Sequence, residues 1–347
     1  MKRQRIWIDI VNPSHSLFFR SIIPELEREK KIIITLRDRA ETVKLANQFG
    51  IQGRAVGRDH ENPIMKISAI LFRILNLSLT LSSFDYSVSF ENMISTSVTK
   101  IRKKSSILLL DNDLKYKMKH NLFQDIESRI KTVADNIIIP RPCYPIMKGV
   151  IDKDRLFTYD GYKEDIYIAD FIPDKNFLKR LPFSDYVIIR PESLSSFYVD
   201  DKGSIVDILV NRFTDEGFNI IYLPRDKRDR VNFRQKNVFI PKEPLDGLDL
   251  IYYSRGVLTG SGTMGREGAV MGKRSAIFFP NRTRLSVDED LIKKKRMIHS
   301  RDPEELIDYF IANKNERKEP DLSKSRSVKN EVLRIINGIL DGRRGFL

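Results

Sequence analysis

The strongest constraint on the fold is the regular return of short, almost wholly apolar runs that are separated by amphipathic stretches of helix length. In the first half of the chain these runs occupy residues 5–10, 32–36, 86–90, 107–110 and 137–139. In the second half they occupy residues 186–189, 220–223, 238–240, 256–259 and 276–279. Strands that are apolar along their whole length are typical of parallel sheets with helices on both faces. The pattern therefore predicts an α/β fold that is built twice.

The length of the chain agrees with two domains. Its 347 residues are about twice the usual size of one domain. Between residues 140 and 182, prolines and glycines interrupt any helical periodicity, so we place the boundary at Glu164. The domains then span residues 1–164 and 165–325. Apolar spacing predicts a further helix over residues 328–340, within a C-terminal segment of residues 326–347.

Cysteine usage and the apolar segments restrict where the protein can work. Cys143 is the single cysteine of the sequence, which excludes a disulfide framework and a multi-cysteine metal site and favours a reducing compartment. Residues 1–11 lack the apolar core of a signal peptide. The longest apolar stretch, residues 67–81, is shorter than the roughly 20 residues of a membrane span. The sequence therefore predicts a cytoplasmic protein.

The net charge indicates an anionic partner. The chain carries 61 Lys and Arg against 47 Asp and Glu, a net charge of +14. Such a balance favours a nucleotide, a phospholipid surface or nucleic acid. The basic runs at residues 102–104 and 293–296 contain no interleaved aromatic residues, and no nucleic-acid-binding motif surrounds them. Nucleic acid is therefore the least expected of the three partners.

A glycine-rich motif is the sharpest local signal. The sequence LTGSGTMGREGA at residues 258–269 follows a predicted strand and opens a predicted helix. Glycines allow close approach of a ligand, and the helix N-terminus favours a phosphate. A dinucleotide site is disfavoured, because the next predicted strand ends in Pro280, Asn281 and Arg282 instead of an acidic residue. The alternative is that the glycines only ease the packing of helix on strand.

Polar residues follow two other predicted strands of the second half. Arg190 and Glu192 come after residues 186–189, and Arg225 comes after residues 220–223. Arginines at the carboxyl ends of neighbouring parallel strands can converge on one diphosphate through their fork-shaped donors. Either arginine could instead be an exposed loop charge, and this alternative is stronger for Arg225.

In the first half of the chain, polar residues also follow predicted strands. The first strand runs into DIVNPSH at residues 9–15, where His15 could act as a general base or bond a phosphate oxygen. The alternative is a helix-capping loop whose histidine bonds only the backbone. Asp111, Asn112 and Asp113 follow residues 107–110, and two carboxylates without further ligands predict no metal site.

Several blocks of the sequence resemble, in order, those of a mainly archaeal family called domain of unknown function 354, which is labelled predicted glycosyltransferase. The blocks are IWIDIVNPSHSLFF (6–19), TLRDRAET (35–42), DND (111–113), GYKE (161–164), VIIRPE (187–192), YLPR (222–225) and GSGTMGRE (260–267). That family in turn resembles the GT-B superfamily, in particular MurG-type N-acetylglucosaminyltransferases and non-hydrolysing UDP-N-acetylglucosamine 2-epimerases.

The resemblance implies two facing Rossmann-like domains with a cleft between them and a C-terminal helix that crosses back to the first. In the relatives the second domain binds the nucleotide-sugar, and a helix glutamate that matches Glu267 contacts the ribose. The implied binding residues are Arg190, Glu192, Arg225, Gly260, Ser261, Gly262, Thr263, Met264, Arg266 and Glu267. We also expect Thr263 to cap the helix that follows the glycines.

The first domain would supply the acceptor site and the catalytic groups. Catalysis would rest on His15 and Asp9, and the acceptor side is expected to include Asn12, Ser14, Asp111 and Asn112. The chain departs from the family at residues 89–93, where SFENM stands in place of a His-Gly-Ser-like cluster.

These observations favour a metal-independent glycosyltransferase that takes a nucleotide-sugar as substrate, needs no cofactor and serves a lipid-linked or glycan acceptor. The first alternative is a nucleotide-sugar 2-epimerase, for which the first half offers the carboxylates Asp9, Glu91, Asp111 and Asp113. An alternative of another class is a basic nucleic-acid-binding protein or an inactive scaffold.

Residues 67–81 raise the question of a membrane surface. Their apolar helical positions are Ile67, Ile70, Leu71, Ile74, Leu77 and Leu81, beside Lys66 and Arg73. A basic amphipathic helix can lie on anionic lipid at the inner face of a membrane. The same pattern fits an ordinary core helix that packs on the sheet.

Overall fold

The computed structural model describes residues 3–39, 41–60, 62–118, 122–192, 203–225, 233, 235–280, 283–312 and 322–343. The chain divides into two compact units. Unit 1 comprises Met1–Ala169 and Arg326–Leu347, and unit 2 comprises Asp170–Ser325.

Unit 1 is built on a parallel sheet of seven strands among the described residues. Its strands are β1 (Arg5–Ile10), β2 (Lys31–Asp38), β3 (Arg54–Arg58), β4 (Tyr86–Phe90), β5 (Ser105–Leu109), β6 (Asn136–Pro140) and β7 (Leu156–Tyr159). The helices between them are α1 (Pro13–Glu27), α2 (Thr42–Gln48), α3 (Pro63–Thr80), α4 (Met93–Ile101), α5 (Leu114–Lys117), α6 (Leu122–Thr132), α7 (Tyr144–Met147) and α8 (Lys163–Ile168). The strand order is β3-β2-β1-β4-β5-β6-β7.

Unit 2 repeats the design with six described strands. They are β8 (Val187–Arg190), β9 (Ile220–Tyr222), β10 (Val238–Phe239), β11 (Gly256–Thr259), β12 (Arg274–Ile277) and β13 (Ile298–His299). The helices are α9 (Val206–Asp215), α10 (Gly247–Tyr253), α11 (Gly262–Val270), α12 (Ser286–Lys293) and α13 (Pro303–Ile311). The order β10-β9-β8-β11-β12-β13 is again parallel and again reverses beside the first strand of the unit. The predicted fold class, two Rossmann-like α/β sheets, is confirmed.

The structure corrects the details of this prediction. Three strands were not predicted. β3 is a largely exposed edge strand, and β13 has only two residues. β7 lies in the segment in which the domain boundary was predicted. The boundary between the units follows Ala169 instead of Glu164, because α8 packs against α1 inside unit 1.

The core of unit 1 forms around its central strand. β1 pairs in parallel with β2 on one side and β4 on the other. Ile6 and Ile8 of this strand belong to one buried cluster with Phe18 and Phe19 of α1. A buried side chain of this size stabilises the fold by roughly 1.5–3 kcal/mol relative to an exposed one, so β1 organises the unit.

The last helix of the chain, α14 (Ser323–Leu340), adds its apolar face to the same cluster of unit 1. Val332 and Ile336 are fully buried there. Near the start of the helix, Val328 lies against Gly161, which precedes α8. A methyl group added at Gly161 would lie 2.4 and 2.6 Å from the two Cγ atoms of Val328. The glycine therefore permits the close approach of α14.

The face of residues 67–81 that the sequence predicted as one apolar surface is divided by the structure. Ile70, Leu77 and Leu81 are buried in a cluster with Trp7 and Phe84, as expected for a core helix. Ile67 and Leu71 are instead exposed, together with other apolar residues of α3. Helical rotation explains the division, since positions 70, 77 and 81 lie on one side of the helix.

We predict that Gly161→Ala lowers the free energy of unfolding by about 1–3 kcal/mol, because the new methyl group overlaps Val328. Adding Val328→Ala should restore part of the loss, so that the two changes are less than additive. Urea unfolding of the single and double variants measures this coupling. Gly149→Ala is the matched control, since its Cβ would meet only Ile146 O at 3.5 Å. Strict additivity of the two substitutions would contradict the packing described here.

Candidate functional site

Each sheet places polar residues at the point where its strand order reverses. In unit 1 this point lies between β1 and β4, and in unit 2 between β8 and β11. In open parallel sheets, ligands bind outside the carboxyl ends of the strands at such points. Asn12 and His15 follow β1 at this point in unit 1, and Arg190 is the last residue of β8 in unit 2.

In unit 1, Asp9 lies at the centre of a buried polar network. Its Oδ1 accepts hydrogen bonds from Thr35 Oγ1 at 2.6 Å and from the guanidinium of Arg73. Its Oδ2 accepts one from Asn92 Nδ2 at 2.9 Å. Asp9 and Arg73 are 0% and 1% exposed. The catalytic role of Asp9 stays a prediction, and its contacts favour a structural role that joins β1 to β2, to α3 and to Asn92, the N-cap residue of α4.

Asn12 and Arg39 orient His15 at the start of α1. Arg39 Nη1 donates to Asn12 Oδ1 at 2.9 Å, which turns the amide nitrogen of Asn12 toward His15 Nε2 at 3.4 Å. An amide nitrogen is a donor, so Nε2 acts as the acceptor and the neutral ring carries its proton on Nδ1. His15 Nδ1 is buried and has no hydrogen-bond partner among the described residues.

The surroundings of His15 keep the ring neutral. Burial and the ammonium of Lys163 lower the pKa of His15 to about 3, while Asp111 acts in the opposite direction. The ring also meets Phe90 edge to face, with 5.4 Å between the centroids. At neutral pH His15 therefore offers one N–H donor and one weakly bonded acceptor.

Lys163, at the start of α8, lies beside the same edge of the sheet. Its Nζ pairs with Asp111 Oδ2 at 2.8 Å and lies 5.4 Å from the centroid of the Phe90 ring. The loop that carries Asp111 is fixed by Glu91, whose Oε1 accepts from the backbone N–H groups of Asp111 and Asn112 at 3.1 and 3.0 Å.

Glu91 has the rare positive φ of 47° for a residue that is not glycine. Its Oε2 pairs with the buried Lys131 at 2.7 Å. Strained backbone of this kind persists only where the surroundings hold it, and it is frequent at functional sites. Glu91 therefore supports the Asp111 loop from the end of β4.

Sequence reasoning did not single out Lys163, Arg39 or Arg73 as parts of this edge. Lys163 stands in the block GYKE, after a strand that was not predicted. Arg73 interrupts an apolar run, and a buried arginine in such a run signals a carboxylate partner. The other acceptor-side candidate, Ser14, is partly buried in the first turn of α1.

In unit 2, Arg190 lies within electrostatic range of Glu267. Arg190 ends β8, Glu267 lies on α11, and the carboxylate of Glu267 acts electrostatically on the guanidinium. Burial lowers the pKa of Arg190, and its Nε has no hydrogen-bond partner among the described residues. A partly buried arginine that stays charged and keeps a buried, unsatisfied Nε–H donor is suited to an anionic ligand.

The glycine-rich motif forms the loop before α11 and the helix itself. Ser261 is the N-cap residue, but its side chain caps no N–H group of the first turn. Thr263 lies inside that turn, which corrects the prediction that it caps the helix. The first backbone N–H groups of α11 point past the helix N-terminus, where they favour a negative charge.

Packing accounts for several of the motif glycines. A Cβ at Gly260 would lie 2.3 Å from Glu192 Cα, and one at Gly265 would lie 2.6 Å from Ile277. Gly268 faces Val257 at 3.2 Å. The packing alternative therefore explains these three positions, and the close approach at Gly260 joins the loops that follow β8 and β11.

Two side chains of unit 2 that were predicted to bind the ligand are hydrogen-bonded to neighbouring loops. Glu192 accepts hydrogen bonds from Ser204 Oγ at 2.9 Å and Arg301 Nη1 at 2.6 Å, beside the start of α9. Arg225 donates to Pro191 O at 2.8 Å and to Gly260 O at 3.2 Å. These contacts favour a supporting role for both side chains.

Arg266 is the third basic candidate of unit 2. Its Nη1 pairs with Asp288 Oδ1 at 3.0 Å, and a Cβ at Gly262 would lie 2.8 Å from the same nitrogen. The guanidinium therefore lies at the N-terminal end of its own helix. Met264, by contrast, is buried, and Ser261 is partly exposed. In the described part of the chain, no group of three or more His, Cys, Asp or Glu side chains is arranged to hold a metal ion.

The sequence of the chain matches a known family and a known protein. A family model described as "Protein of unknown function (DUF354)" matches residues 4–336. The uncharacterized protein MJ0665 of Methanocaldococcus jannaschii is 26% identical over 326 residues, which cover 90% of this chain and 92% of that protein.

Solved structures share the architecture at low sequence identity. The UDP-GlcNAc 2-epimerase of Methanocaldococcus jannaschii superposes with a TM-score of 0.72 at 16% identity, covering 96% of this chain and 99% of that one. The calicheamicin glycosyltransferase CalG4 superposes with a TM-score of 0.56 at 9% identity, covering 100% of both chains. The likeness establishes the fold, the two-domain Rossmann-like architecture called GT-B.

We predict that His15 makes stability depend on pH. The unfolded histidine binds a proton below about pH 6.5, whereas burial and Lys163 lower the pKa of the native ring to about 3. Between these values the unfolded chain binds the extra proton, so acidification lowers the free energy of unfolding by up to about 1.4 kcal/mol per pH unit. His15→Asn should remove this slope. Urea unfolding from neutral pH down to about pH 5 tests it. Parallel pH profiles of the two proteins in that window would contradict it.

Proposed function

Because the chain belongs to the DUF354 family of proteins of unknown function, and because its fold is that of nucleotide-sugar enzymes, we propose that the protein is a glycosyltransferase. It would move a sugar from a nucleotide-diphosphate donor to an acceptor hydroxyl without a resident metal ion. The observation that carries the proposal is the placement of two groups at the strand-order reversals: a partly buried arginine in unit 2, whose Nε is buried without a described partner, and a neutral buried histidine in unit 1.

Unit 2 would bind the donor. The diphosphate would lie at the N-terminus of α11, where the helix dipole and Arg190 both favour negative charge. Glu267, beside Arg190, would accept hydrogen bonds from the ribose hydroxyls. Arg266 lies at the same helix end and would share the stabilisation of the leaving diphosphate, with Asp288 holding its side chain in place. Glu192 and Arg225 would support the loops.

Unit 1 would supply the acid–base chemistry. The neutral His15 ring has its acceptor at Nε2, where the contact with Asn12 is long at 3.4 Å, so this nitrogen can take the proton of an acceptor hydroxyl. The Nδ1–H group would donate to a substrate oxygen. A ring of such low pKa is a weak base in the resting protein, and Asp111 raises its pKa and would stabilise the imidazolium.

A nucleotide-sugar 2-epimerase is the second candidate, and one observation favours it. Glu91 and Asp111 lie at the edge of the unit 1 sheet within the same network as Lys163, and epimerisation needs carboxylates that remove and return a proton. Both carboxylates are already engaged in ion pairs with lysines, and Glu91 also holds the backbone of the Asp111 loop. This pairing places transfer ahead of epimerisation.

We predict that Glu267→Ala weakens the binding of a nucleotide-sugar by roughly 1–3 kcal/mol, because the ribose loses a charged hydrogen-bond partner. Thermal shifts with a panel of UDP-, GDP- and dTDP-sugars measure this, since a ligand at 100 times its Kd stabilises a protein by about 2.7 kcal/mol. Glu289→Ala on α12, an exposed glutamate, is the matched control. Equal affinity in Glu267→Ala and wild type would remove Glu267 from the site.

Incubation with the donor that gives the largest thermal shift, without an acceptor, separates the two candidate reactions. A transferase should leave the donor as a single sugar species, because the reaction lacks an acceptor hydroxyl. Addition of lipid and glycan fractions should then release nucleoside diphosphate. Proton NMR of the sugar measures both steps. If a second, epimeric nucleotide-sugar accumulates with the protein, but not with protein that was boiled beforehand, the reaction is epimerisation and not transfer.

A further inference from the structure

The outer face of α3 is an apolar stripe that the described fold leaves exposed. Met65, Phe72, Leu75 and Leu79 are 53%, 63%, 59% and 75% exposed, and Leu71 beside them is 62% exposed. At about 100° per residue, positions 65, 72, 75 and 79 lie opposite the buried positions 70, 77 and 81. Soluble proteins rarely expose large apolar side chains in a continuous row, so the stripe indicates an interaction surface.

The exposure of the stripe is not a sign of a loosely attached helix. Ile70 and Leu77 on the inner face belong to a buried cluster with Trp7 and Phe84. Arg73 on the same face pairs with Asp9 and also donates to Leu36 O at 3.2 Å. α3 is therefore firmly held by its inner face, and its outer face is presented outward by the fold.

The segment that carries the stripe contains cations but no carboxylate. Residues 62–84 contain no Asp or Glu, while Lys66 lies on α3 itself. Arg54 donates to Thr80 Oγ1 at 2.8 Å at the end of α3, and Arg102 donates to Leu81 O at 2.6 Å just beyond it. Cations thus border the apolar row at both ends of the helix.

We propose that α3 binds the surface of an anionic phospholipid bilayer, lying parallel to it with Phe72, Leu75 and Leu79 inserted below the headgroups. An apolar stripe with bordering cations is what a bilayer interface with negative headgroups attracts. A second copy of the chain fits less well, because two such faces would bring like charges together without a carboxylate on α3 to pair them. None of the described helices has the length and apolarity to cross a membrane.

This surface is independent of the proposed enzymatic function. Vesicle binding can be measured with no nucleotide, sugar or acceptor present, so a failure of either proposal leaves the other intact. The face also differs from the one that the sequence suggested, because Ile70, Leu77 and Leu81 lie in the core.

Sedimentation with vesicles tests the proposal. Wild type should pellet with vesicles of phosphatidylglycerol and phosphatidylcholine, and less with phosphatidylcholine alone or at high salt. The triple variant Phe72→Ser, Leu75→Ser and Leu79→Ser should lower the partition coefficient at least about a hundredfold, because three inserted side chains are lost. The matched control replaces three exposed apolar residues elsewhere, Ile126→Ser, Ile172→Ser and Ile208→Ser, and should pellet like wild type. Circular dichroism confirms that both variants are folded.

Three results would overturn the proposal. Wild type that stays in the supernatant with anionic vesicles would exclude the bilayer as the partner. A folded triple variant that pellets like wild type would exclude α3 as the surface. Light scattering that finds a wild-type dimer and a monomeric triple variant, without vesicle binding, would assign the stripe to a second copy of the chain.

Discussion

The buried ion pair between Asp9 and Arg73 is the interaction on which the architecture of unit 1 depends. It joins the central strand to α3, and Thr35 and Asn92 extend it to β2 and to the start of α4. Removing one partner of a buried pair leaves an uncompensated charge, which typically costs 3–5 kcal/mol. Because Arg73 must face Asp9, the rotation of α3 is fixed. The same constraint therefore determines which residues of α3 enter the core and which form the exposed stripe.

The strand-end residues of both units fall into two groups that differ in how their hydrogen bonds are satisfied. Asp9, Glu192 and Arg225 are engaged by protein groups and hold neighbouring segments in place. His15 and Arg190 instead each keep a buried nitrogen without a described protein partner. A buried donor without a partner costs stability, so such groups are retained where a ligand completes them. Among these five strand-end residues, this difference separates the candidate ligand groups from the supporting ones.

The sequence predicted the fold class and most of the strands because inner strands of parallel sheets are buried on both faces and mostly apolar, as in β1, β6 and β11. The edge strand β3 and the two-residue β13 carry too little of this pattern to be recognised. The positions of His15 and Arg190 followed from the rule that ligands meet strand ends. The contacts around the strand ends could not be predicted, because a pair such as Arg73 and Asp9 joins residues that are 64 positions apart in the sequence. Local patterns carry no information about that distance.

The glycine-rich motif shows that glycines in a predicted ligand loop can also be required by packing. Sequence reasoning interpreted the glycines as room for a phosphate, yet Gly260, Gly265 and Gly268 have protein neighbours that a side chain would overlap or crowd. These contacts draw α11 against β12 and bring the loop before α11 against the loop that follows β8. The consequence is that the N-terminus of α11 lies beside Arg190, because the backbone N–H of Gly260, two residues before the helix, donates to Arg190 O at 2.9 Å. The glycines thus let the helix and the arginine approach each other, and the charge of both is what the proposed phosphate site requires.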